Sequence, residues 1–239
     1  MPLGSGSQWN SERAVPAHCK SKVLRITLAG MARNAGDAAT CAGGCKIISD
    51  AALGQVSSLR EIVSCGGVGS VLDALKQHGA HEGLCHSACA ALANMSTHAD
   101  TRERVGNANA VQAISKALRA HRGSAPVQHA GLTAMGNLAL HSDQQRLLLD
   151  AHGLILHSQE ALARHPADPA VCEAALSALA SFFVDASCQP LLSPDKSPLI
   201  SLAVSAMRAH RECRDVCYAA IAMLVNLSWC EQVILAMCA

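Results

Sequence analysis

Twelve cysteines and twelve histidines in 239 residues are the first candidates for chemistry. Cys41/Cys45, Cys85/Cys89 and Cys213/Cys217 each stand one helical turn apart, and His81 extends the middle pair into a stripe. Thiolates and imidazole in that pattern suit zinc, and an exposed Cys41 of low pKa would suit redox chemistry. CGGVGSVL (65–72) has glycines of the kind that cradle phosphate, but it lacks the third glycine of G-x-G-x-x-G, and a helical rather than a strand pattern precedes it. The sequence contains no G-x-x-x-x-G-K-[ST], H-E-x-x-H or G-x-S-x-G. Nor does any spacing gather a nucleophile, a base and an orienting group.

What the chain repeats is an amide at the end of an apolar stretch. AALGQVS (51–57), AALANMS (90–96), TAMGNLA (133–139), SALASFF (177–183) and AMLVNLS (222–228) align, with Gln55, Asn94, Asn137, Ser181 and Asn226 at steps of 39, 43, 44 and 45 residues. A second register, VLDALKQH (71–78), AISKALRAH (113–121), HSQEALARH (157–165) and AVSAMRAH (203–210), closes on His78, His121, His165 and His210 at steps of 43, 44 and 45. Two helices per repeat follow, because units of this length bury their apolar faces only by stacking. A shorter helix fits the remaining interval, as in LREIVSCGG (59–67), TRERVGNAN (101–109) and QQRLLLDAHG (144–153), each ending near Gly or Asn. Pro126 and Pro169 can open the last helix of a repeat, Asp168 can cap one, and Ser197-Pro198 can open a middle helix. The histidine row falls at the end of each middle helix, where imidazole can bond a free carbonyl and complement the dipole.

Three helices in about 43 residues, with a glycine-marked turn after the first and an A-L-x-N-L-type end to the third, resemble the armadillo repeat. The resemblance spans residues 20–239 and implies an all-α fold, a right-handed α-solenoid whose third helices line a concave groove. It gives a partial repeat (20–57), four full ones (59–98, 99–141, 142–186, 187–228) and the start of another, WCEQVILAMCA. Residues 1–18 stand apart as a Gly/Ser-rich tail, and 19–239 form one domain.

In armadillo proteins of the importin-α and β-catenin type, a row of asparagines bonds the main chain of an extended peptide, each amide being both donor and acceptor. The resemblance gives that role to Asn94, Asn137 and Asn226, with Gln55 and Ser181 departing from it. At 100° per residue, positions four and seven earlier share the face: Ala90 and Ser87, Thr133 and Ala130, Ser177 and Ala174, Ala222 and Ala219. Positions eight earlier, His86, His129, Glu173 and Tyr218, and four later, His98, His141 and Asp185, flank it. Importin-α places Trp where Ala90, Thr133 and Ala222 stand here, and the cations of a β-catenin-type groove are missing too. The groove is read as shallow, polar and nearly neutral, favouring neither a nuclear-localisation signal nor an acidic ligand. The same register turns Cys85, Cys172 and Cys217 about 180° away, into helix packing, where a thiol serves as a small apolar side chain; no metal or other cofactor is expected.

Nineteen Lys+Arg against 18 Asp+Glu, formal charge +1, argue against a nucleic-acid partner. Five aromatics against 44 alanines leave too few rings for base stacking. No apolar run reaches the roughly 18 residues of a membrane span, and no signal-peptide pattern opens the chain, so reduced thiols and an intracellular, cytoplasmic location are expected. The function expected is a non-enzymatic protein–protein interaction module that takes an extended or helical partner segment in the groove. The alternative is an architectural subunit using its ends and convex face. Trp229, Val233, Ile234, Leu235 and Met237 would then form an apolar end that docks on another chain, giving an oligomer or larger complex.

Overall fold

The computed structural model describes residues 20–140, 149, 152–184 and 197–228. Among the described residues there are twelve helices and no strand. Helices α1 (Lys22–Arg33) and α2 (Ala38–Ala52) are the middle and third helices of a first repeat. Two complete repeats follow, α3 (Val56–Ser64), α4 (Gly67–Gln77) and α5 (Glu82–Met95), then α6 (Ala99–Asn107), α7 (Ala110–Ala120) and α8 (Ala125–Ala139). The last two contribute α9 (Leu154–Arg164) with α10 (Pro169–Phe182), and α11 (Ser197–Ala209) with α12 (Arg214–Ser228). The third helices α2, α5, α8, α10 and α12 stack in chain order, each against the next.

Each boundary has a local cause. Between first and middle helices the backbone enters the left-handed region at Gly66 (φ 89°), Asn109 (φ 62°) and Gly153 (φ 78°), which glycine and asparagine tolerate best. Asp37, His81, Ser124 and Asp168 cap the third helices, accepting N–H bonds from the first turn, an arrangement worth about 1 kcal/mol per cap. His81 therefore uses Nδ1 on the Leu84 N–H at 3.1 Å, within its own helix start. Pro169 is the first residue of α10, and Ser197 and Pro198 open α11, as their positions in the sequence imply.

The histidine row caps across repeats. The main-chain N–H of His78, His121, His165 and His210 closes each residue's own helix on Ala74, Ala117, Ala161 and Ala206. The ring, instead of turning to its own helix, donates Nε2–H to a loop carbonyl of the preceding repeat: Ala35 at 2.6 Å, Gly79 at 2.8 Å, Arg122 at 2.8 Å and Pro166 at 2.8 Å. A row on the third helices fastens each of them to the end of its own middle helix. The thiols of Cys41, Cys85, Cys172 and Cys217 donate to Asn34, Gly79, His165 and His210 carbonyls at 3.3–3.7 Å. In the one repeat without a cysteine there, Gln128 Nε2 donates to Leu118 and His121 carbonyls at 2.9 and 3.0 Å.

One buried polar pair sets a pH dependence. His157, 3% exposed on α9, donates Nε2–H to Ser115 Oγ at 3.0 Å, and the Ser115 hydroxyl donates to the His152 carbonyl at 2.9 Å. Burial, then the charge of Arg119, holds the imidazole below its ordinary value, against a weaker opposite pull from Glu160. The unfolded chain gains a proton near pH 6.5 that the folded chain resists, so stability is full above that pH and falls as the pH falls. His157→Leu removes the imidazole and leaves an apolar side chain in its place, as at the equivalent position one repeat earlier, Ala113. Urea melts from pH 7.5 to 5.5 should show a shallower loss for this variant than for wild type, and superimposable slopes would assign the acid sensitivity elsewhere.

Candidate partner-binding face

The caps of the third helices fix the register of the amide row. Asp37, His81, Ser124 and Asp168 each stand thirteen residues before Asp50, Asn94, Asn137 and Ser181. Gln55 is thereby corrected: α2 ends at Ala52, and Gln55 is the exposed N-terminal flank of α3, so Asp50 holds the position assigned to it.

The asparagines join repeats. Asn94 Nδ2 donates to the Ser49 carbonyl and hydroxyl at 3.1 and 3.0 Å, Asn137 Nδ2 to the Ala93 carbonyl at 3.0 Å, and Asn226 Nδ2 to the Ala180 carbonyl at 2.9 Å. Each acceptor is on the preceding third helix, one residue before its ladder position. The three side chains are half-buried, and among the described residues none of their Oδ1 atoms accepts a hydrogen bond.

The positions seven before the ladder are not groove lining. Ala130, Ala174 and Ala219 are 2–4% exposed because alanine there lets neighbouring third helices approach; Ser87 is half-buried. The open surface runs instead along Ala90, Thr133, Ser177 and Ala222 and the row eight before the ladder. Of that row the structure brings His129, Glu173 and Tyr218 together, with Ser177 and Asp215, around a shallow depression of about 530 Å³ between α8, α10 and α12. His86 is exposed on α5 outside it, and His98 is the exposed N-terminal flank of α6. His141, Asp185, Trp229, Val233, Ile234, Leu235 and Met237 lie outside the described residues.

The face is not neutral. Third helices and their caps carry Asp37, Asp50, Glu82, Asp168, Glu173 and Asp215 against Lys46 and Arg214, and Lys46 is tied to Asp50 at 3.0 Å. The middle helices end instead on Arg33, Lys76, Arg119, Arg164 and Arg208. A formal charge of +1 for the whole chain conceals this separation.

The thiols are placed for packing. Burial pushes Cys45 up to about 12 and Cys85 and Cys172 up to about 11, and raises Cys41 and Cys89 as well. At neutral pH these stay protonated, so they are poor nucleophiles and poor metal ligands. Among the described residues, no group of three or more His, Cys, Asp or Glu side chains is placed to hold a metal ion. No described helix is long and apolar enough to cross a membrane.

Stacked three-helix repeats with capped third helices define an all-α solenoid of the armadillo type. Among solved structures the chain is similar to the designed armadillo repeat protein YIII(Dq)4CqI, with a TM-score of 0.72, 19% identity, and coverage of 88% of this chain and 84% of that one. It is similar also to the designed armadillo repeat protein YIII(Dq.V1)4CPAF in complex with the peptide (KR)4, with a TM-score of 0.69, 17% identity, and coverage of 91% and 89%. An engineered protein matches with a TM-score of 0.68 and 16% identity over 87% of this chain and 99% of that one. A comparison with curated proteins gives no match. The model of the LRRK2 ARM repeat family matches residues 38–235, and the chain belongs to that family.

Proposed function

We propose that the protein is a non-enzymatic interaction module that takes an extended or helical segment of a partner protein along its third-helix face. The observation that carries this reading is the half-buried row Asn94, Asn137 and Asn226, in which each amide uses an N–H to join repeats and, among the described residues, has an Oδ1 that accepts no hydrogen bond. Such an oxygen is held in place by the staple and accepts a main-chain N–H from an adjacent strand or helix end. The peptide carried by one designed structural neighbour supports the same use of the fold. Buried, protonated thiols support an intracellular, cytoplasmic setting, and neither a nucleic acid nor a cofactor is needed for this role.

Because Asn94 and Asn137 also staple repeats, changing both to Ala should cost about 0.5–1.5 kcal/mol for each lost bond in addition to any loss of binding. His121→Ala removes a comparable cross-repeat bond at the loop edge and serves as the control. Partners captured from extract should be retained by His121→Ala and lost by the double variant at a temperature where both are folded. Equal retention by the two would overturn groove binding.

A second reading rests on α12, where Ile221 and Val225 are 51% and 50% exposed while their equivalents Leu176 and Ala180 are buried. An end of this kind favours the architectural alternative, in which partners dock on the last repeat.

A further inference from the structure

We propose that the depression between α8, α10 and α12 is a pocket for a cationic side chain, so that the partner segment carries arginine or lysine at that point. This rests on the reading that the third-helix face receives a partner segment, and it names the chemistry of that segment.

The depression is lined by two carboxylates, Glu173 and Asp215, and by neither lysine nor arginine. Glu173 is held by the Ser177 hydroxyl, which donates to Oε1 at 2.8 Å and leaves the second oxygen for a ligand. Asp215 lies exposed in the first turn of α12. The nearest cation in sequence, Arg214, is exposed and does not line the depression, and Arg211 faces Glu212 at 3.9 Å. Tyr218 stands beside these carboxylates with 75% of its surface exposed. A ring in water on the same depression as two carboxylates offers a cation its face and its counter-charge together. A guanidinium fits both demands, because it stacks flat on a ring while its fork bonds a carboxylate.

The surroundings point the same way. Six carboxylates against two cations on the third helices and their caps repel an acidic segment and draw a basic one. The cations that balance them stand at the ends of the middle helices, away from the depression. Glu173 and Tyr218 share α10 and α12 with the ladder residues Ser181 and Asn226, so side-chain capture and main-chain contact would act on one bound segment.

The test uses the full chain and two labelled octapeptides, one alternating arginine with serine and the other glutamate with serine, read by fluorescence anisotropy. Wild type should bind the arginine peptide, more weakly as salt rises, and leave the glutamate peptide free. Glu173→Gln with Asp215→Asn should weaken binding about tenfold, and Tyr218→Ala about three- to fivefold. Glu103→Gln, a carboxylate change on α6, should leave it unaltered. Failure of wild type to bind the arginine peptide, or equal losses for Glu103→Gln and the pocket variants, overturns the proposal. If the Asn94/Asn137 double variant abolishes partner capture while the pocket variants do not, groove binding stands and the cation pocket falls. If arginine-peptide binding survives the ladder changes and is lost with Glu173 and Asp215, the pocket stands and the ladder reading falls.

Discussion

Phe182→Ala is expected to lower stability by about 3–5 kcal/mol, near the top of the range for a single side chain, and to do so mainly in the last repeats. Phe182 is fully buried on α10 and meets Phe183 edge-on, with ring centroids 5.2 Å apart. These are the chain's two phenylalanines. The same helix contributes Ala174, Ala175, Ala178 and Ala180 to the core, and alanines have no side-chain rotamers with which to refill a vacated volume. The cavity should therefore persist, which is the costly case. In a stacked-repeat protein each unit contacts only its neighbours. Hydrogen exchange should accordingly show lost protection in α9 to α12 and retained protection in α4 and α5. A uniform loss throughout would mean that the repeats unfold as one unit.

Gly136→Leu should rank beside it through the opposite fault. A Cβ at Gly136 would lie 3.0 Å from the Ala178 Cα and 3.3 Å from its Cβ, so it meets backbone that cannot rotate aside. Helices α8 and α10 would have to separate, a strain of about 1–3 kcal/mol or more. This junction also lacks an asparagine staple, since Ser181 stands at the ladder position, and it depends on close approach. Gly131 provides the comparison: its added Cβ would come 2.6 Å from the tip of Leu118, a side chain that can move. Thermal melts should place Gly136→Leu well below Gly131→Ala. Similar values would show that α8 and α10 part easily.

The repeat was legible because the constraint that creates it is strict. A helix end that must meet the preceding repeat recurs every 43 to 45 residues, and three asparagines and four histidines mark it. Gln55 misled because AALGQVS copies the apolar pattern of AALANMS five residues too late in the chain. The spacing of 44 residues that links Cys41 with Cys85 and Cys45 with Cys89 gives the true register and leads to Asp50. Helical angles place a residue on its own helix but do not say which foreign carbonyl lies within reach. That is why the histidine rings and asparagine amides reach one repeat farther back than their positions alone imply. It is also why the open face centres between the positions four and eight before the ladder. The alanines seven before it are taken up by the neighbouring helix, and the asparagines stand at the edge where they can reach it.

The cross-repeat bonds give the molecule a frame of its own. From the left-handed residue to the capping histidine is twelve residues, and to the ladder position 28, at 66, 78 and 94, at 109, 121 and 137, and at 153, 165 and 181. The interval from ladder position to next left-handed residue is the part that varies, fifteen from Asn94 to Asn109 and sixteen from Asn137 to Gly153. One residue inserted within the constant block turns everything beyond it by about 100° and takes the histidine or asparagine off its carbonyl. The same insertion after the ladder position falls where the chain already tolerates a change of length. Natural or engineered recombination should thus exchange whole 29-residue blocks, with crossovers confined to the first helices and their linkers.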